Sequence, residues 1–180
     1  MKPIVIIPDP VLSIPTKTVT HFDKKLTALV ADMKAALKNT KNPVGVGLAA
    51  PQIGVSASIF LMRPKEKGEI SVYINPHITW TSPELTEGLP EAEHRLEGCL
   101  SVPKVWGVVQ RHKAVKLDFY DETGNRTEKK YEGFPATIIQ HEMDHLSGIL
   151  FTARVLEQKG QFYKPVVNEK GEEDLELYTI

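Results

Sequence analysis

Two histidines four residues apart, His141 and His145, carry the strongest chemical signal in the chain. On a helix this spacing places both imidazole rings on one face, one turn apart, where a single divalent metal ion can bind both. Glu142 borders the same position and is suited to act as the general base for a metal-bound water. The segment therefore predicts a metal-dependent hydrolytic site. The competing interpretation is a solvated surface helix.

A third protein ligand is expected, because catalytic metal sites commonly use three and leave one position for water. Cys99 is the single cysteine of the chain, so it is the only thiol available. A lone cysteine is more often a small buried hydrophobe. Its position between Gly98 and an apolar, strand-like segment is nevertheless compatible with a ligand. The residues alone leave both interpretations open.

The face of the predicted helix that carries the histidines also carries Phe134, Thr137 and Ile138. Side chains of this kind suit the apolar wall of a substrate pocket. They are equally suited to an ordinary hydrophobic core. The helix itself is predicted over about 134–146, because Pro135 falls in its first turn and Gly148 lies just past its end.

Length and composition limit the protein classes that these residues could serve. A chain of 180 residues is expected to form one domain. Its 22 Lys+Arg and 23 Asp+Glu give a net charge of −1, which argues against direct nucleic-acid specificity and against an anionic membrane surface. A single cysteine excludes an intrachain disulfide framework and fits a reducing, cytoplasmic location. The sequence shows neither a signal peptide nor a membrane span.

The elements around these motifs indicate an α+β fold. We expect an N-terminal helix over 23–39 behind a possible Asp23 cap, and short strands at 55–62, 70–75, 115–120 and 126–131. Residues 76–96 are expected to form a long connection, and the tail 157–180 a hairpin. The predicted architecture is small antiparallel or mixed sheets packed around a C-terminal metal-binding helix.

Three ordered motifs resemble those of the peptide deformylases, whose patterns are G-x-G-x-A-A-x-Q, E-G-C-L-S and Q-H-E-x-D-H. The resemblance covers about residues 4–156. Three motifs in this order, one of which contains the single cysteine, are far more specific than an isolated HExxH. In this chain they read Gly45-Val46-Gly47-Leu48-Ala49-Ala50-Pro51-Gln52, Glu97-Gly98-Cys99-Leu100-Ser101 and Gln140-His141-Glu142-Met143-Asp144-His145.

The resemblance implies removal of the formyl group from N-formylmethionyl peptides, with release of formate. It assigns Cys99, His141 and His145 as ligands of one divalent metal, Fe2+ natively, with Zn2+, Ni2+ or Co2+ as replacements. Metal-bound hydroxide would attack the formyl carbon, with Glu142 as general base and then general acid. The Gln52 side-chain amide and the Leu100 backbone N–H would stabilise the oxyanion.

Further roles rest on the same resemblance. The Gly47 backbone would hydrogen-bond a peptide bound as an added strand. Arg111 would pair with Glu97 or Asp144 and brace the metal ligands. The expected substrate contacts are Val46, Gly47, Glu97, Gly98, Phe134, Thr137 and Ile138. One departure concerns Trp106, which stands where many bacterial members carry an arginine that contacts the distal peptide.

Several points stay open at this stage. The alternatives are an HExxH-type zinc peptidase and a metal-binding or ribosome-associated homologue without catalysis. Against the peptidase, no third His or Glu follows at a suitable downstream spacing. The sequence leaves open a transient ribosome contact, the oligomeric state, and an organelle form whose transit peptide has been removed.

Overall fold

The computed structural model describes residues 2–41, 43–86, 88–89, 96–167 and 173–178. The helices within these ranges are α1 (Lys24–Lys38), α2 (Phe134–Leu146) and α3 (Phe151–Glu157). The strands are β1 (Gly47–Ala49), β2 (Ile59–Met62), β3 (Ser71–Thr81), β4 (Glu97–Cys99), β5 (Val102–Gly107), β6 (Ala114–Tyr120), β7 (Arg126–Glu132), β8 (Phe162–Val167) and β9 (Glu173–Tyr178). Short 3-10 turns occupy Pro10–Ser13 and Ala50–Ile53.

The strands form two antiparallel sheets. The first has the order β1-β2-β3-β6-β7 and the second the order β4-β5-β8-β9. All the described strand pairs are antiparallel. The expected α+β class with small sheets around a C-terminal helix is therefore confirmed, in the antiparallel form. In each sheet the strand that carries a sequence motif, β1 or β4, lies at an edge.

Helix α1 covers one face of the five-stranded sheet, as its apolar periodicity predicts. The Asp23 side chain caps it by accepting hydrogen bonds from the backbone N–H groups of Lys25 and Leu26, at 2.9 and 3.0 Å. The buried stripe of the helix packs against strands β1, β2 and β3 in one hydrophobic cluster. The stripe consists of Leu26, Val30, Met33, Ala36 and Leu37.

Helix α2 is the central element, because most of its residues are buried and it packs against β1, β2 and β7. It begins after Gly133 with Pro135 in its first turn and is followed by Gly148, as predicted. Gly148 has a φ of 72°, and a Cβ there would lie 2.7 Å from the backbone nitrogen of Ile14. Glycine at this position therefore lets the N-terminal arm pass close to the end of the helix.

Two local expectations need correction, and one helix was not predicted. The strand predicted at 55–62 is confined to Ile59–Met62, and α3 was not predicted. Residues 76–81, expected to begin a connection, continue strand β3 instead. Pro76 is accommodated because the pairing of β3 with β6 is irregular between Ile74 and His77, where a missing backbone N–H breaks no regular ladder.

Two of the predicted segments fall partly outside the described residues. These are the rest of the 76–96 connection, at 87 and 90–95, and the tail, at 168–172 and 179–180. In the described part of the tail, β8 pairs with β9 and with β5. Among the helices of the described ranges, none has the length and apolar character that a membrane crossing requires.

Candidate active site

The three predicted ligands meet between the end of β4 and the middle of α2. Cys99 is the last residue of β4, and His141 and His145 lie one turn apart on α2. The Cys99 Sγ atom lies 3.2 Å from Nε2 of His145. One ligand atom from each of the three residues lies within 4.8 Å of the other two. The fold thus brings together residues that are more than 40 positions apart in sequence.

This group fits a single divalent metal ion. Tetrahedral coordination with metal–nitrogen and metal–sulfur distances of about 2.0 and 2.3 Å places one sulfur and two nitrogens roughly 3.3–3.5 Å apart. One sulfur and two imidazole nitrogens, nearly all shielded from water, therefore need only small adjustments. Cys99 is buried and makes no disulfide, so its sulfur is available as a ligand.

Charges around His141 favour a cation at this position. Its Nδ1 lies 3.0 Å from Oε2 of Glu97, which leaves Nε2 as the nitrogen for a ligand. Burial lowers the pKa of His141, but hydrogen bonds and negative charge from Cys99 and Glu97 outweigh burial and raise it well above its usual value. Burial, together with the charge of His141, lowers the pKa of His145 well below its usual value. The site therefore holds one positive charge readily and prefers His145 as a neutral ligand.

A buried chain of ion pairs fixes the orientation of His141. Arg111 donates from Nε and Nη2 to Glu97, at 2.9 and 3.0 Å, and from Nη1 to Asp144 at 2.6 Å. It therefore pairs with both of the carboxylates that the sequence offered as alternatives. Arg154 of α3 donates to the same Asp144, at 2.6 Å from Nη2 to Oδ1. Sequence reasoning did not find that contact, because α3 itself was not predicted.

Glu97 lines the cavity and also pairs with the side chains behind the site. Its carboxylate accepts hydrogen bonds from Arg111 on both oxygens and contacts His141 through Oε2. Burial raises its pKa, but the hydrogen bond from His141 and the charge of Arg111 lower it to about 2. A carboxylate with these partners can hold the ring of His141 in place.

Glu142 lies against Gly47 inside the site. Its side chain is buried, and its Oε2 has no hydrogen-bond partner among the described residues. Burial raises its pKa to about 7. A Cβ at position 47 would lie 2.8 Å from the Cδ of Glu142 and 3.0 Å from the Cγ2 of Ile138. Only glycine leaves this carboxylate its space, a requirement beyond the backbone hydrogen bond expected of Gly47.

Gln52 is held with its amide nitrogen toward the sulfur ligand. Its Oε1 accepts a hydrogen bond from the backbone N–H of Ala49 at 2.8 Å, and its Nε2 lies 3.6 Å from Sγ of Cys99. Leu100 directly follows the sulfur ligand and also lines the cavity. A side-chain N–H donor therefore lies beside the metal group, as an oxyanion-stabilising role requires.

A cavity of about 220 Å³ opens onto this group. All the residues that are expected to contact the substrate line this cavity, namely Val46, Gly47, Glu97, Gly98, Phe134, Thr137 and Ile138. Pro43, Val44, Leu89 and Trp106 line it as well. In the sequence, Trp106 stands out only as a departure from a family pattern. Nothing in the sequence marked the other three.

The cavity lies where an extended peptide could extend either sheet. Gly47 of β1 and Gly98 of β4 both line it, and both strands are the outermost of their sheets. Edge strands present unpaired backbone groups on one side, and a bound peptide can use them as an additional strand. The backbone can be recognised there while apolar walls receive the side chains.

Comparison with known proteins gives a consistent result. Residues 1–161 match the family described as polypeptide deformylase. The peptide deformylase of Pseudothermotoga lettingae is 40% identical over 151 residues, which cover 84% of this chain and 81% of that protein. The crystal structure of the Thermotoga maritima peptide deformylase superposes with a TM-score of 0.76 at 35% identity, covering 86% of this chain and 97% of that one. A Synechococcus elongatus peptide deformylase in complex with actinonin gives a TM-score of 0.75 at 34% identity, with 84% and 76% covered.

Proposed function

The chain belongs to the polypeptide deformylase family, and on that premise we propose that it hydrolyses the formyl group from the N-terminus of N-formylmethionyl peptides. The products are formate and a peptide with a free amine. One observation carries the proposal: Cys99, His141 and His145 meet in one group, and two of them, Cys99 and His141, line one apolar cavity together with Glu142 and Gln52. We take residues 1–180 as a single catalytic domain.

One divalent metal ion would be held by Cys99, His141 and His145. When bound, it supplies Lewis acidity and lowers the pKa of a coordinated water. A thiolate and two imidazoles suit Fe2+, Zn2+, Ni2+ and Co2+ alike, and we propose Fe2+ as the native ion because the motifs follow those of an iron-using family. Glu97 would orient the His141 ring toward the ion through its contact with Nδ1. Arg111 would hold Glu97 in place, and Asp144 would hold Arg111.

Glu142 is the proposed general base and acid. Burial raises the pKa of its carboxyl to about 7, and a cation held by the neighbouring ligands would lower it again. At neutral pH the carboxylate can therefore take the proton of the attacking water and later deliver it to the departing amine. Gly47 leaves room for this carboxylate beside the reacting carbon.

The oxygen of the formyl group gains negative charge as the carbon becomes tetrahedral. We propose that the Nε2 group of Gln52 and the backbone N–H of Leu100 donate hydrogen bonds to it. Gln52 is held for this role through its Oε1, which is fixed by Ala49. Donors that are already in place stabilise the developing charge without reorganisation.

The methionine side chain would enter the part of the cavity walled by Val46, Phe134, Thr137 and Ile138. A flexible thioether packs well against such apolar walls. The substrate is then a nascent chain with this N-terminus. We accordingly propose a cytoplasmic location with transient ribosome contact, and a reducing compartment would preserve the Cys99 sulfur.

The test is formate release from formyl-Met-Ala-Ser by protein purified without oxygen, together with metal analysis. We expect about one metal ion per chain, and Glu142→Ala should lower kcat by roughly 10²–10⁴-fold while metal stays bound. Glu132→Ala is the matched control, because Glu132 is exposed on β7 away from the cavity. Cleavage of internal peptide bonds without formate release, or full activity of Glu142→Ala, would overturn the proposal.

A further inference from the structure

The indole of Trp106 lies directly over Gly98 at the β4 wall of the cavity. The two residues are paired across β4 and β5. A Cβ at position 98 would lie 2.6 Å from Cζ3, 2.7 Å from Cε3 and 3.1 Å from Cη2 of the ring. The six-membered part of the indole therefore occupies the space that a side chain at 98 would fill. The ring extends from β5 across β4.

This ring reaches the side of β4 on which a peptide could bind. Among the described strands, β4 has a partner only on its β5 side. Strands in a sheet lie about 4.8 Å apart, so an added strand beside β4 would lie next to the far edge of the indole. Trp106 is half-buried and lines the same cavity as the catalytic group. A substrate side chain that points to the same face of the sheet as this ring can therefore contact it.

Alternation along an extended peptide identifies the side chain concerned. Side chains of residues one and three point to the same face of a strand, and that of residue two to the other face. With methionine directed into the cavity, the side chain of the third residue points to the same side of the peptide as methionine and can meet the cavity lining further along. The nearby lining side chains Leu89, Leu100 and Trp106 are apolar. The charged lining residues Glu97 and Glu142 already have other roles.

We propose that Trp106 is a specificity determinant of this chain, which selects N-formylmethionyl peptides with an aromatic or large aliphatic third residue. The proposal rests on the proposed function and names a preference within its substrate class. An indole ring that has no free charged side chain beside it packs best against aromatic or large aliphatic side chains of the substrate. A small polar or acidic third residue would gain little from it.

The kinetic test compares formyl-Met-Ala-Phe with formyl-Met-Ala-Ser. We expect the native enzyme to favour the phenylalanine peptide about tenfold in kcat/KM, mainly through KM, which corresponds to about 1.4 kcal/mol. Trp106→Ala should reduce the ratio to near one, whereas Trp106→Phe should keep part of it. Trp80→Ala is the matched control, because Trp80 is 41% exposed on β3 and lies outside the cavity.

A binding measurement separates this proposal from the proposed function. The chain has two tryptophans, so Trp80→Phe leaves Trp106 as the only indole reporter. Formyl-Met-Ala-Phe should shift its fluorescence emission at lower concentration than formyl-Met-Ala-Ser, whether or not formate is released. Equal affinities in this variant, or a native kcat/KM ratio near one, would overturn the role of Trp106. Absence of formate release with selective binding intact would overturn only the proposed function.

Loss of the ring could also disturb β4, so the variants need a structural check. Trp106→Phe keeps an aromatic side chain over Gly98 and should unfold at nearly the native temperature. If Trp106→Ala lowers activity on both peptides equally, with the native ratio retained, the residue supports the strand without selecting substrate, and the proposal is wrong. A selective loss for the phenylalanine peptide supports it.

Discussion

Removal of Arg111 is the sharpest test of how the site is held together. Its guanidinium is 5% exposed and makes three hydrogen bonds to two buried carboxylates, those of Glu97 and Asp144. In Arg111→Met the chain keeps a side chain of comparable length but loses every donor. Asp144 retains its pair with Arg154, whereas the Glu97 carboxylate retains only His141 among the described residues. The uncompensated charge therefore falls mainly on Glu97, which is 3% exposed.

The expected cost follows from the burial of the pair. Breaking a buried ion pair by removing one partner costs about 3–5 kcal/mol, because the remaining charge stays desolvated. For a domain of this size each kcal/mol shifts Tm by roughly 2–4 °C. We therefore expect Tm to fall by about 10 °C. Because Glu97 orients His141, we also expect a loss of about 10- to 100-fold in metal affinity.

Arg126→Met is the matched control, because it makes the same chemical change at the surface. Arg126 pairs with Asp118 through Nε and Nη2, but its side chain is 66% exposed. Exposed pairs contribute about 0–1 kcal/mol, so neither Tm nor metal affinity should change appreciably. Thermal unfolding by circular dichroism and titration of stripped protein with Co2+ give both quantities. Equal Tm values for the two variants would refute the argument that burial makes this pair important.

Two further predictions concern the metal and the base. Cys99→Ser should lower the metal content of the purified protein severalfold or more and abolish formate release, because a hydroxyl is a poorer ligand than a thiolate for these ions. If this variant keeps one metal ion per chain, Cys99 is not a ligand. Gly47→Ala should lower kcat by at least tenfold, because its Cβ would displace Glu142, while the fold loses about 1–3 kcal/mol from overpacking. Gly133→Ala is the control for adding a methyl group, because no described atom lies within 4 Å of a Cβ at position 133. The positive φ of Gly133 makes alanine strained there, so the variant should lose some stability, but its kcat should stay near the native value.

Helices α1 and α2 were predictable because local signals mark their ends. Asp23 caps α1 and Gly148 ends α2, and the apolar periodicity between such signals gives the buried faces. Strand β3 was less predictable. Pro76 and the polar residues after it indicate a connection when read locally, whereas pairing with β6 through an irregular register keeps them in the sheet. Partner strands decide such a case, and they are distant in sequence.

The two histidines of the metal group could be proposed from the sequence because they lie four residues apart, whereas Cys99 could be assigned only through its family motif. The side chains that support the group could not be proposed to the same extent. Arg154 reaches Asp144 because α3 packs against β4 and β5, and no local pattern indicates that approach. Glu97 could be placed beside Cys99 by its position. Its commitment to Arg111 and His141 depends on three separate segments of the chain.

Two glycines of the cavity wall, Gly47 and Gly98, explain how one site could be selective and general at the same time. Gly47 and Gly98 lie on edge strands, so the backbone of many different peptides can approach them. The space that their side chains would fill is taken by other groups, the carboxylate of Glu142 at one position and the indole of Trp106 at the other. In the proposed function the edge strands would provide sequence-independent backbone contacts, while elements behind them would provide the chemistry and the side-chain preference. Changing Trp106 should therefore alter the choice among substrates without altering proton transfer, and changing Gly47 should do the reverse.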